Sequence, residues 1–150
     1  MGGPFTAAAF GAAARLIPRR AVLAETFTHS LPVMSVMQPN FQITHRDEND
    51  WTVVEIHGEV DVYTVPQIRD HVTGLIEEDR RLIILDLRRV TFIDSTGLGV
   101  FVGILKRIRE REGELRLVIT SQAVRKIFDL TSLYGVFPIH DSLDAALTAP

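Results

Sequence analysis

The chain contains no cysteine, and this absence excludes disulfide bonds, thiolate catalysis and cysteine-ligated metal sites together. It has no unbroken apolar run near the ~20 residues that a membrane-spanning helix requires. Basic residues are not in excess, since the formal net charge at pH 7 is −3, whereas nucleic-acid-binding proteins usually present a basic face. We therefore expect a cytoplasmic domain with neither nucleic acid nor membrane as a partner.

The composition that remains is typical of one globular domain. Of the 150 residues, 46% are apolar and 23% are charged, which suffices for one core but not for two large domains. Residues 1–36 differ from the rest, because they are rich in Ala, Gly and Pro and contain a single acid, Glu25. A disordered tail, a targeting peptide and a biological start at Met34 or Met37 are the alternatives. The predicted folded domain is 37–150.

Hydrophobic patterns predict a hairpin that is followed by alternating helices and strands. The predicted strands cover 41–45, 51–57, 59–63, 82–87, 115–119 and 136–139, and the predicted helices begin at Thr64, at Asp94 or Ser95, at Ser121, and at Asp141 or Ser142. Gly58 is expected to interrupt the second strand. This order predicts an α/β domain with a mixed β-sheet covered by about four helices.

A hydroxyl-rich turn, 94–97, connects an apolar strand to an apolar helix. Asp94 and Ser95 are residue types that cap helix N-termini. Hydroxyl groups beside free helix N–H groups form a site that can bind a phosphate or carry one. Because sites in such sheets collect where strands end and helices begin, we expect this turn to lie beside the segment 61–64, at the end of the neighbouring strand.

Two other interpretations of this turn, nucleotide binding and catalysis, have little support. Glycines at 97, 99 and 103 superficially match a dinucleotide fingerprint, but no acid follows at the end of the next strand to bind a ribose. In the simpler interpretation, Gly99 and Gly103 allow the helix to pack closely on the sheet. Ser95 as a nucleophile would need a histidine base, and the candidates His57, His71 and His140 have no recognisable catalytic setting. We expect no catalytic residue, cofactor or metal.

Three segments in this order resemble the bacterial anti-anti-sigma factors of the STAS domain class. They are 58–64 (GEVDVYT), 92–99 (FIDSTGLG) and 127–130 (IFDL) with Leu133 and Val136. The resemblance spans about 41–147, and the segment 61–64 together with the run through Lys106 and Arg107 is most similar to actinobacterial members.

The resemblance implies a partner switch that is controlled by phosphorylation and has no catalytic activity. The unphosphorylated form binds an anti-sigma factor, which is also a serine kinase, and thereby frees a sigma factor. The kinase modifies the serine of the Asp-Ser-Thr-Gly motif, here Ser95, with Thr96 as a secondary candidate. A metal-dependent serine phosphatase acting on phospho-Ser95 resets the protein. The alternative is a STAS-type scaffold, or a module that binds a nucleotide or another small ligand, in a stress-signalling complex.

The expected contacts with the partner lie in the segments 61–64 and 94–98. They are Asp61, Thr64, Asp94, Ser95, Thr96, Gly97 and Leu98. Three structural alternatives remain at these positions: Asp61 caps a turn, Thr64 caps the next helix, and Leu98 points into the core.

Overall fold

The computed structural model describes residues 40–133 and 135–150, so the predicted tail at 1–36 and both alternative starts lie outside the described residues. In chain order the elements are β1 (Gln42–Glu48), β2 (Trp51–Val60), α1 (Val65–Glu77), β3 (Leu82–Ile93), α2 (Ser95–Glu110), β4 (Glu114–Val118), α3 (Gln122–Leu130), β5 (Ile139–His140) and α4 (Leu143–Thr148). Within these ranges, no helix is long and apolar enough to cross a membrane.

The strands form one sheet in the order β1-β2-β3-β4-β5. The hairpin strand β1 is antiparallel to β2, and the remaining neighbours are parallel. Each parallel connection passes through a helix, as the alternating sequence pattern requires. The predicted mixed α/β sheet and its helices are thereby confirmed.

The core lies on both faces of the sheet, because neighbouring residues of a strand point to opposite sides. Val54 and Leu85 belong to the larger apolar cluster, which contains the inner faces of α1, α2 and α3. Val53 and Ile84 belong to a second cluster with Ala146 of α4. Helices therefore cover both faces and leave the ends of the strands open.

Helix α1 buries one apolar face, as the helical spacing of its apolar residues indicates. All five residues of that face are buried, namely Val65, Ile68, Val72, Leu75 and Ile76. Two helix starts also agree with the sequence, because the hydroxyls of Ser121 and Ser142 each accept a hydrogen bond from the backbone N–H three residues later.

Strand boundaries were the weakest part of the sequence prediction. Strand β2 does not stop at Gly58 but continues to Val60, with a register shift against β3 at this point. Gly58 has a φ of 105°, and a Cβ there would lie 2.8 Å from the backbone oxygen of Asn40, so glycine accommodates the irregularity. Strand β3 reaches Ile93, and the last strand comprises only Ile139–His140 instead of 136–139.

Candidate functional site

Two turns meet where β2 and β3 end. Val60 pairs with Ile93 in the parallel register, and the N–H of Asp94 donates to the carbonyl oxygen of Val60 at 3.2 Å. The turn after β2 (61–64) and the turn after β3 (94–97) are therefore neighbours at one edge of the sheet. The expected juxtaposition of the two turns is confirmed.

The turn after β3 presents two hydroxyls at the beginning of α2. Asp94 is the N-cap, since its Oδ1 accepts a hydrogen bond from the N–H of Gly97 at 3.0 Å. Ser95 is the first residue of the helix, and both Ser95 and Thr96 are exposed. Because Asp94 caps α2, the Ser95 hydroxyl is not needed to cap this helix.

Gly97 allows this helix to begin against the sheet. A Cβ at this position would lie 2.6 Å from Cγ1 of Val60 and 3.1 Å from Cγ2 of Ile93. By contrast, a Cβ at Gly99 or Gly103 would meet nothing within 4 Å. The expectation that Gly99 and Gly103 permit close packing on the sheet is therefore wrong, and the close approach occurs at Gly97.

The turn after β2 is held by its own side chains. Oδ1 of Asp61 accepts hydrogen bonds from the N–H groups of Tyr63 at 2.9 Å and Thr64 at 3.2 Å. The Thr64 hydroxyl donates to the carbonyl oxygen of Glu59 at 2.8 Å and accepts from the N–H of Asp61 at 3.0 Å. Thr64 precedes α1, but its side chain makes no capping hydrogen bond. Asp61 thus closes the turn, and of the predicted extended segment 59–63 only the first two residues are in a strand.

Burial divides the seven expected contact residues into two groups. Asp61 and Asp94 are half-buried, whereas Ser95 and Thr96 are exposed. The other three, Thr64, Gly97 and Leu98, are buried, with Thr64 at 3% and Leu98 at 5% exposure. We therefore correct the expectation for these three: they position the turns and offer no side-chain surface for a direct contact.

Exposed apolar side chains lie in and beside the two turns, and they are not among the seven expected contact residues. Val62 is 56% exposed, Tyr63 is 63% exposed, and Phe92, near the end of β3, is 45% exposed. No sequence pattern indicated this exposure for Val62 and Tyr63, because both lie in the predicted extended segment 59–63. Exposed apolar groups gathered at one site are typical of a protein interaction surface.

The three histidines considered as bases lie elsewhere. His57 Nε2 is 3.4 Å from Oε2 of Glu55, and His71 Nε2 is 2.9 Å from Nδ1 of His45. His140 lies on the edge strand β5. Across 40–133 and 135–150, no three His, Asp or Glu side chains are grouped so that they could hold a metal ion. Among these residues, none of the three histidines is hydrogen-bonded to Ser95.

Asp86 is a buried acid in strand β3, and its role is structural. The Arg88 guanidinium donates to both of its carboxylate oxygens, at 2.9 and 2.8 Å, and the Arg88 N–H donates at 3.2 Å. Burial opposes ionisation of Asp86, but these hydrogen bonds outweigh it and hold the pKa of Asp86 below its usual value. The acid is thus fully engaged within its own strand.

Comparison with known proteins agrees with this geometry. The family model described as STAS domain matches residues 40–146. An anti-sigma-B factor antagonist of Staphylococcus aureus is 32% identical over 108 residues, which cover 72% of this chain and 98% of the relative.

Solved structures agree as well. An anti-sigma factor antagonist from Mycobacterium paratuberculosis has a TM-score of 0.68 at 28% identity, with 73% of this chain and 92% of that chain covered. The Bacillus cell fate determinant SpoIIAA in its phosphorylated form has a TM-score of 0.56 at 26% identity, with 71% and 96% covered. The chain therefore belongs to the STAS domain family, among the anti-sigma factor antagonists.

Proposed function

We propose that this protein is a cytoplasmic anti-sigma factor antagonist that is switched at Ser95. The unphosphorylated form binds an anti-sigma factor that is also a serine kinase, and the sigma factor is released. Phosphorylation of Ser95 ends the binding, and a metal-dependent phosphatase restores it. Thr96 is the secondary candidate acceptor, and the protein itself has no catalytic activity. The existence of a phosphorylated form of the Bacillus relative supports this mechanism.

The observation that carries the proposal is the position of Ser95. Its hydroxyl is exposed at the first residue of α2, and Asp94 already caps the helix. The N-terminus of a helix favours negative charge, because free N–H groups and the helix dipole stabilise it. A phosphate on Ser95 is therefore compatible with the fold.

The partner surface comprises both turns and the apolar side chains beside them. Val62, Tyr63 and Phe92 supply apolar area, and Asp61 and Thr96 supply polar groups at the same edge. A surface of this composition binds another protein through a few anchoring side chains. Ser95 lies at this edge, so a change in its charge is presented directly to the partner.

Exclusion of the partner requires only a modest energy. A phosphate adds a charge of about −1.5 to −2 at neutral pH. The Asp94 carboxylate is adjacent, so a partner seated on the turn meets two neighbouring anionic groups. A coupling of ~1–3 kcal/mol already changes binding by roughly 5- to 150-fold. Exclusion by charge and bulk thus needs no refolding.

The test is phosphorylation by the anti-sigma factor kinases of the source organism, each purified and incubated with this protein and ATP. We expect one of them to bind the protein and to place phosphate on Ser95, as mapped by mass spectrometry. Ser95→Ala should keep the binding and resist inactivation, and Ser95→Asp should weaken the binding. Thr96→Ala is the matched control and should still be switched. Phosphate found only at another residue would overturn the site assignment.

A further inference from the structure

A groove lies between helices α1 and α2, directly beside the turn that carries Ser95. Its cavity volume is about 440 Å³. Thr96, Gly99, Gly103 and Arg107 line it from α2, and Arg69 lines it from α1. The α2 residues recur every three or four positions and so form one stripe, which extends for about 16 Å along the helix. We call this feature the α1/α2 groove.

Two glycines keep the groove open. A Cβ on Gly99 or Gly103 would have no atom within 4 Å, so a side chain there would begin in open space. Val100 and Ile104 complete the lining from α2, and Ile104 is 3% exposed. The bottom of the groove is therefore apolar, although it lies beside two polar helix surfaces.

The two arginines of the groove are unpaired. The side chains of Arg69 and Arg107 make no ion pair or hydrogen bond within the described part of the chain, where most of the other arginines are paired with a carboxylate. No lining residue is acidic. This cationic groove contrasts with the formal net charge of −3 on the whole chain. An anionic partner is the complement that this charge distribution favours.

We propose that the α1/α2 groove binds an acidic amphipathic helix of the anti-sigma factor, an inference that rests on the proposed function. The apolar bottom accommodates the apolar face of such a helix, while Arg69 and Arg107 pair with its carboxylates. The groove is about three helical turns long, a length suited to such a segment. The chain's own residues 1–36 do not fit, because they carry three arginines and only one acid.

The groove also explains why a phosphate at Ser95 is effective. Thr96 forms one end of the groove, so the phosphate would lie beside that end and repel an acidic helix. The penalty caused by Ser95→Asp should therefore shrink as the salt concentration rises, because salt screens exposed charges.

Gly103→Leu is the most selective test, because a Cβ at this position meets no atom within 4 Å and Gly103 lines the groove. Gly74→Leu is the matched control: Gly74 is also helical, has nothing within 4 Å of a Cβ, and does not line the groove. We expect Gly103→Leu to weaken binding of the anti-sigma factor by about tenfold or more, with no loss in melting temperature. Gly74→Leu should bind like the unchanged protein. If both variants bind the anti-sigma factor equally well, the groove proposal is overturned.

Charge reversal gives a second variant that does not depend on packing. Arg107→Glu should weaken the same binding, whereas Lys106→Glu, one residue away and outside the groove, should have little effect. If Ser95→Asp abolishes binding of the anti-sigma factor but Arg107→Glu and Lys106→Glu bind it equally well, the groove proposal is overturned and the proposed function stands.

An independent probe is a short helical peptide with leucines on one face and glutamates on the other, compared with its lysine counterpart. NMR spectra of the isotope-labelled full chain should show shifts along Thr96–Arg107 with the acidic peptide only. If the acidic peptide causes no shifts, or both peptides cause the same shifts, the groove proposal fails whether or not a kinase phosphorylates Ser95. Shifts at the groove without any kinase that phosphorylates Ser95 would contradict the proposed function instead.

Discussion

Gly97 brings helix α2 against the ends of two strands. The nearest atoms to a Cβ at this position belong to Val60 and Ile93, the last residues of β2 and β3. The hydroxyls of Ser95 and Thr96 are thereby fixed at the sheet edge. The site therefore depends on the small size of Gly97, because a side chain at this position would push the start of α2 away from the strand ends.

Gly97→Ala should destabilise the protein by about 1–3 kcal/mol, since overpacking forces the neighbouring atoms to shift. Gly99→Ala is the control, because its Cβ would meet nothing within 4 Å. This second change should leave the free energy of unfolding unchanged or raise it by up to ~1 kcal/mol, as alanine favours the helix. Urea unfolding followed by circular dichroism measures both. Equal effects of the two changes would contradict the close approach at Gly97.

At the scale of elements, the sequence predicted types and order well and boundaries less well. The helix that begins at the Asp94 cap and the buried face of α1 follow from local chemistry and periodicity, which act within a few residues. The passage of β2 through Gly58 depends on a neighbouring segment, the backbone at Asn40, and no local pattern encodes that contact. The end of β3 likewise depends on its pairing with β2 and not on its own apolar run.

The site was predicted to a similar degree. The meeting of the two turns follows from strand order, and the exposure of Ser95 follows from its position at a helix start. The burial of Leu98 was one of the alternatives that the sequence left open, whereas the burial of Thr64 could not be predicted, because it depends on how the turn folds back on the sheet. The α1/α2 groove is a property of two helices together, so neither helix sequence indicates it.

The edge strand β5 makes the stability of the protein sensitive to acid. His140 Nε2 is buried and has no hydrogen-bond partner among the described residues. Burial lowers the pKa of His140 below 6.5 and Arg116 lowers it further, while Asp141 and Glu114 oppose the change. The unfolded chain therefore takes up a proton first as the pH falls. The free energy of unfolding should decrease as the pH drops below about 6.5.

This expectation can be measured by urea unfolding between pH 7.5 and about 5.5. His140→Gln should flatten the pH dependence, because glutamine does not titrate. Burial, together with the charge of His45, also lowers the pKa of His71. His71→Gln should therefore remove a further part of the pH dependence. An unchanged pH dependence in the double variant would show that other groups control the acid response.

At the scale of the whole molecule, the family match begins at residue 40 and ends at residue 146. The Staphylococcus aureus relative is covered over 98% of its length by the matching part of this chain. We propose that the folded domain, predicted as 37–150, is sufficient for function.

A chain that starts at Met37 should therefore have the same melting temperature as the full chain and the same affinity for the anti-sigma factor. Calorimetric melting and a binding titration measure the two quantities side by side. A mass measurement on protein from the native host shows separately whether translation begins at Met1, Met34 or Met37. Loss of affinity in the shortened chain would show that 1–36 contributes to the interaction.

Both turns of the site are closed by their own hydrogen bonds, through Asp61 and Thr64 in one and Asp94 in the other. A phosphate added to such a frame has no slow rearrangement to trigger. The response of the proposed switch would then not depend on its earlier phosphorylation state. Its delay would be set by the rates of the kinase and the phosphatase alone. A brief pulse of kinase activity would stop the release of the sigma factor for as long as the phosphatase needs to remove the phosphate.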